Sequence, residues 1–259
     1  MLSRTRRSVT AVLAGVGVTV LALLLMMVVS IPAIFIDPTL LVSLADATVF
    51  GRTLAIALQF VGMALAGLLY IWATGRGWGW IDLRVPNRRD LVWMGIGVAL
   101  IIGYYIGASI IIQLLNVPAA DSDVVAVLGD DVMMVLMMLI LVAFFNAPAE
   151  EFLFRNVIQK RFAEVFSDWG AIVAASILFT LIHVPMFVPQ AAELAATVTS
   201  LVILFGGSVI FGYTYVRSGN LLVPIVVHAA MNGFVLLIYL AALLAGVNPG
   251  QMVTPIGMI

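Results

Sequence analysis

Cysteine is absent from these 259 residues, lysine occurs once, at Lys160, and histidine only twice, at His183 and His228. The first absence removes disulfides, thiolate nucleophiles, iron–sulfur clusters and cysteine-held zinc together. A single lysine and a net charge of −1 leave no extended basic surface, which argues against nucleic acid as a partner. Charge of either sign is scarce, at 10% of residues, where a soluble domain carries about 25%. What is present instead is hydrocarbon: 64% of residues are hydrophobic, and mean hydropathy is +1.20. The composition is that of an all-α polytopic membrane protein whose partner is the lipid bilayer.

Apolar runs near the roughly 20 residues that cross a bilayer fall at about 9–36, 53–73, 91–115, 132–147, 170–188, 194–216 and 221–245. The expectation is a bundle of seven to eight transmembrane helices, with seven favoured. The first run exceeds the roughly 7 to 15 residues of a signal-peptide core, so it reads as a retained helix. Residues 149–166 follow Pro148 and carry Glu150, Glu151, Arg155, Lys160 and Arg161 among apolar residues. They form either an eighth, half-buried helix or a continuation of the fourth past a kink.

Basic residues in short loops favour the cytoplasmic side. Arg4, Arg6 and Arg7, then Arg76, Arg84, Arg88 and Arg89, then Lys160 and Arg161, then Arg217 fit one side, with Arg52 the single exception. Asp37 and Asp46, then Asp121, Asp123, Asp130 and Asp131, then Glu193 fit the other. A multi-pass cell-membrane protein with a cytoplasmic N-terminus follows. Trp78, Trp80 and Trp93 suit an interfacial segment between the second and third spans.

Ionisable side chains at membrane depth cost several kcal/mol on insertion scales, so they tend to face a bundle interior and to mark function. Three apolar stretches carry such groups: Glu150-Glu151-Phe-Leu-Phe-Arg155, Phe179-Thr-Leu-Ile-His183 and His228-Ala-Ala-Met-Asn232. Glu151 and Arg155 stand four apart with the glutamate N-terminal, the favourable order for a helical ion pair. Glu150 is turned about 100° from its neighbour and is left free to take a proton, as a general base must. The bland alternative is a pair of acids at a helix start after Pro148. His228 and Asn232 share a helix face, so an imidazole N–H and an amide NH2 can converge on one oxygen, or can simply bond neighbouring helices. His183 precedes Pro185, where the helix is expected to distort or end.

Other hydrolytic chemistries lack their residues. There is no His-Glu-x-x-His run and no Gly-x-Ser-x-Gly elbow. Asp130 and Asp131 sit in an acidic loop rather than on facing spans. A water-activating glutamate with histidine help remains. A proton-relay transporter and a non-catalytic or bacteriocin-immunity-type membrane protein are the rival readings of the same buried groups.

In order, the three stretches resemble the motifs Glu-Glu-x-x-x-Arg, Phe-x-x-x-His and His-x-x-x-Asn/Asp of the CPBP intramembrane proteases, the Abi or Ras-converting-enzyme-like group that includes CAAX prenyl proteases. Arg217-Ser-Gly-Asn-Leu-Leu-Val-Pro224 before the last histidine is similar too, whereas Asn156 stands where many members have glycine. The likeness divides the chain into N-terminal helices and loops (1–129), a protease core (130–245) and a tail (246–259). It implies an endopeptidase acting on a membrane-associated protein or prenylated peptide, near the substrate's C-terminus. Carried over, Glu150 and His183 activate water, His228 and Asn232 hold the oxyanion, and Glu151, Arg155 and Phe179 support them. No cofactor is expected on this reading; the alternative is zinc held by Glu150, His183 and His228, a His2Glu set.

Overall fold

The computed structural model describes residues 4–120, 123–188 and 193–249. Asp121 and residues 250–259 of the tail lie outside that range. Among the described residues the chain is helical, without strands. The long helices are α1 (Arg4–Ile36), α2 (Val49–Ala73) and α3 (Arg88–Leu115), followed by the short α4 (Asp123–Leu128). After it come α5 (Val132–Ala163), α6 (Asp168–Ile182), α7 (Leu194–Ser218) and α8 (Leu222–Leu244).

Six of these helices are long and apolar enough to cross a membrane; α4, with 6 residues, and α6, with 15, are not. At 1.5 Å per residue α6 spans about 22 Å, short of the roughly 30 Å hydrocarbon core. The fifth run expected from sequence, 170–188, therefore holds a short helix. It stops where Pro185 forbids continuation: His183 ends α6, and a single turn, Val184–Phe187, follows.

Residues 149–166 are not an eighth helix. Residues 149–163 extend the fourth span into one 32-residue element, and π-helical turns modify it, one of them ending just before Pro148. Val142–Asn146 and Phe152–Gln159 close with bonds five residues back, as Ala147 N–H to Val142 O and Lys160 N–H to Arg155 O show. Between them lies the short α-helical stretch Ala147–Glu151, which carries both glutamates. Such wide turns recur at functional sites. All eight residues of Phe152–Gln159 are buried, so this helix runs through the centre of the bundle rather than along its lipid face.

Local chemistry fixes the helix ends. The Thr48 hydroxyl accepts from Gly51 N–H at the start of α2, Asn87 and Asp90 form a reciprocal capping box on α3, and Asp131 accepts from Met133 and Met134 N–H on α5. α7 ends at Gly219, φ 61°, a left-handed cap that favours glycine. α1 lies along α2, and at Gly62 a Cβ would sit 2.5 Å from the Leu25 carbonyl oxygen, so only glycine permits that approach.

One end of the bundle gathers the basic residues. Arg76 pairs with Glu164 (2.5 Å), Lys160 with Asp82 (2.7 Å) and Arg84 with Asp90 (2.5 Å). Arg89 donates to the Arg217 carbonyl (2.7 Å), which ties the first turn of α3 to the end of α7. Arg52, the outlier of the sequence pattern, lies at the opposite end with an evident task. It donates to the Val127 carbonyl (2.6 Å) at the end of α4 and stands 3.6 Å from Asp131.

Candidate active site

α5 supplies Glu150, Glu151 and Arg155, α6 supplies Phe179 and His183, and α8 supplies His228 and Asn232. All seven are buried, and the fold brings them into one polar cluster. Glu151 is its anchor: Oε2 accepts from Arg155 Nε (2.9 Å) and Oε1 meets His228 Nδ1 (2.9 Å). Arg155 Nη2 also reaches the Ser208 hydroxyl (3.0 Å) on α7. The guanidinium lies 5.2 Å from the Phe179 ring and 5.9 Å from that of Phe211, a cation held between aromatic faces.

The carboxylate beneath His228 decides what the ring can do. Bonded to Glu151, Nδ1 carries a proton, so in the neutral ring Nε2 is an acceptor and becomes a donor only in the imidazolium. Nε2 faces Glu150 Oε2 across 3.9 Å, and among the described residues neither atom has a hydrogen-bond partner. Phe211 stacks on the imidazole at 4.6 Å and 15°, fixing its plane. His183 is oriented similarly, by its own helix: Nδ1 meets the Phe179 carbonyl at 2.7 Å. A carbonyl only accepts, so the Nε2 of neutral His183 is likewise left as an acceptor.

The other oxygen of Glu150 is held by a residue outside the expected set. Asn146, one turn earlier, donates Nδ2–H to Glu150 Oε1 (2.8 Å), and its Oδ1 accepts from Asn232 Nδ2 (3.0 Å). The expected convergence of His228 and Asn232 on one oxygen is therefore conditional. Asn232 retains one amide hydrogen after bonding Asn146, and His228 contributes a donor only when doubly protonated.

Glu150, His183, Asn146 and Asn232 line one cavity of about 410 Å³, whose remaining wall is almost wholly hydrocarbon from α1, α2, α4, α5 and α8. His228 lies behind Glu150 and is fully buried. Among the described residues no three His, Asp or Glu side chains are grouped closely enough to hold a metal ion. Glu150, His183 and His228, as placed, do not form such a group.

Sequence reasoning missed Asn146, Ser208 and Phe211. A signal existed for Asn146, which precedes Glu150 by the same four residues that separate Glu151 from Arg155. Ser208 and Phe211 lie on α7, whose approach to α5 and α8 leaves no mark in residue spacing. Asn156 is structural: its Oδ1 accepts from Asp82 N–H (2.8 Å), holding the loop between α2 and α3 against the core.

Comparison with known proteins agrees with the motif reading. Residues 132–234 match the family model described as type II CAAX prenyl endopeptidase Rce1-like. The chain is also 27% identical over 170 residues to the membrane-embedded CAAX protease MroQ of Staphylococcus aureus (strain USA300). That alignment covers 62% of this chain and 62% of the relative, so the match spans under two thirds of the curated protein's length. No solved structure matches. The segment carrying all three motifs is thus similar to an Rce1-like prenyl endopeptidase, and it lies in a chain of several apolar helices.

Proposed function

We propose that the chain is an intramembrane endopeptidase that hydrolyses a peptide bond near the C-terminus of a lipid-anchored or membrane-inserted substrate, with Glu150 activating water. The observation that carries this reading is the facing pair of unpartnered atoms, Glu150 Oε2 and His228 Nε2, 3.9 Å apart beside the cavity. One oxygen atom can touch both, with hydrogen-bond lengths of about 2.8 Å.

In the proposed reaction, Glu150 takes a proton from water while the acceptor nitrogen of His183 holds the water's second hydrogen. The hydroxide adds to the scissile carbonyl carbon. The remaining Nδ2–H of Asn232 and the Nε2–H of protonated His228 donate to the oxyanion, donors that act most strongly in a water-poor site. Glu150 then passes its proton to the leaving amide nitrogen, the C–N bond breaks, and the carboxylate is restored. Behind these groups, Arg155 holds Glu151 ionised, and Glu151 fixes the ring of His228 and balances its positive charge.

The basic end of the bundle faces the cytoplasm of a cell membrane, with the N-terminus on that side, and the catalysis needs no resident cofactor. The test is cleavage of a prenylated C-terminal peptide by the full chain in proteoliposomes, with products identified by mass spectrometry. A single new C-terminus near the lipidated residue is expected. An intact peptide, together with intact lipid-anchored and membrane-inserted alternatives, contradicts the proposal.

A further inference from the structure

Gln59 is the only residue between Thr53 and Tyr70 whose side chain carries an N–H or O–H group. It sits midway along α2, outside every motif and outside the family match. A carboxamide at membrane depth is expected to bond something, because hydrocarbon offers no partner. Gln59 is half-buried, and no group among the described residues bonds it. It lines the cavity that holds Glu150, His183 and Asn232.

The polar groups on that wall can be accounted for one by one. They are Gln59, Asn146, Glu150, His183 and Asn232; the rest is hydrocarbon or thioether. Asn146 is engaged on both sides, by Glu150 and Asn232. The other three serve the scissile bond in the reading above. A peptide threaded into this cavity also carries main-chain N–H and C=O groups on either side of that bond, and each must be satisfied away from water. Asn232 Oδ1 is a second open acceptor among the described residues, but its remaining N–H serves the scissile carbonyl, which leaves Gln59 with both a donor and an acceptor to offer them.

Resting on the endopeptidase reading, we propose that Gln59 binds the substrate main chain, pairing its carboxamide with one peptide group flanking the scissile bond. It is a binding residue outside the protease core that sets substrate register over Glu150 and takes no part in proton transfer. No lysine or arginine lines the cavity, so recognition here reads the neutral peptide backbone rather than a charged side chain.

The experiment uses the full chain in proteoliposomes and a set of cleavable peptides in which each amide flanking the scissile bond is replaced in turn by an ester, deleting one N–H. With the unmutated chain, one ester position is expected to raise KM roughly tenfold, the effect of one neutral hydrogen bond. Gln59→Met, similar in shape and apolar, should raise KM for the all-amide peptide by a similar factor with kcat within about twofold. In that variant the same ester should add nothing, because the pair is already broken. Gln59→Asn, which keeps the carboxamide, should fall between.

An unchanged KM for Gln59→Met, or an ester penalty equal in variant and parent, overturns the inference while leaving the endopeptidase reading intact. The ester series on the unmutated chain stands alone if a variant fails to fold: no position raising KM overturns it too. Absence of cleavage by the unmutated chain overturns both.

Discussion

Glu151 and His228, 77 residues apart in the chain, meet at 2.9 Å in the interior, and the glutamate's second oxygen is held by Arg155, also at 2.9 Å. This contact makes one side chain set the tautomer of another. In the proposed reaction the glutamate that orients is therefore distinct from the glutamate that reacts. The two are adjacent in sequence, and the turn of the helix sends Glu151 toward Arg155 and Glu150 toward Asn146 and the cavity.

Removing Arg155 should be more damaging than its distance from the cavity suggests. Glu151 is fully buried, and a buried charge stripped of its partner typically costs about 3 to 5 kcal/mol. Arg155→Ala is expected to lower the thermal unfolding midpoint in detergent sharply. Arg155→Ala with Glu151→Gln, which removes both charges, should recover much of that loss while remaining inactive in cleavage.

Asn146 tests the part of the site that the motifs do not contain. Its carboxamide holds Glu150 Oε1 and positions Asn232. A hydrogen bond to a charged group contributes about 1.5 to 3 kcal/mol, which corresponds to a rate loss of roughly tenfold to a hundredfold. Asn146→Ala should show that fall in kcat without a comparable loss of stability. Wild-type kcat would remove Asn146 from the account.

Much of this architecture was legible from residue order alone. Apolar runs located the helices, and the four-residue spacings of Glu151 with Arg155 and of His228 with Asn232 placed each pair on one face. What spacing cannot encode is which helices meet. Phe211 stacks on His228 and Ser208 bonds Arg155 because α7 packs beside α5 and α8, a tertiary choice with no local signature. The π-helical turns were hidden for a related reason: the polar residues of Phe152–Gln159, namely Arg155, Asn156 and Gln159, are buried against partners on α7 and the loop before α3, so their spacing reports tertiary contacts and not a solvent face. Arg52 looked like a breach of the charge rule because its partners, Val127 O and Asp131, lie more than 70 residues away.

At the acidic end, Asp37 offers a pH-dependent contribution to stability. Hydrogen bonds from the Thr48 hydroxyl and N–H (both 2.7 Å) hold its carboxyl below the ordinary value of 3.8. A depressed folded-state pKa contributes stability that is present above the unfolded value and is lost as pH falls through the folded one. The unfolding midpoint of the parent should therefore exceed that of Asp37→Asn near neutral pH, with the gap closing below about pH 4. A gap independent of pH would contradict this assignment.

Chelation examines the routing of the chemistry. Proton transfer through Glu150 needs no metal, so cleavage should proceed at an unchanged rate after dialysis against a strong zinc chelator. Loss of activity that added Zn²⁺ restores would replace the proposed route with a metal-assisted one.

The most direct measurement is the single-turnover cleavage rate of Glu150→Ala beside the parent chain in the same proteoliposomes, after both are shown to unfold at similar temperatures. General-base catalysis contributes about 10² to 10⁴ in rate, so the alanine variant should fall by at least a hundredfold, with Glu150→Gln no better. Cleavage by Glu150→Ala at the parental rate would contradict the claim that this carboxylate activates the water.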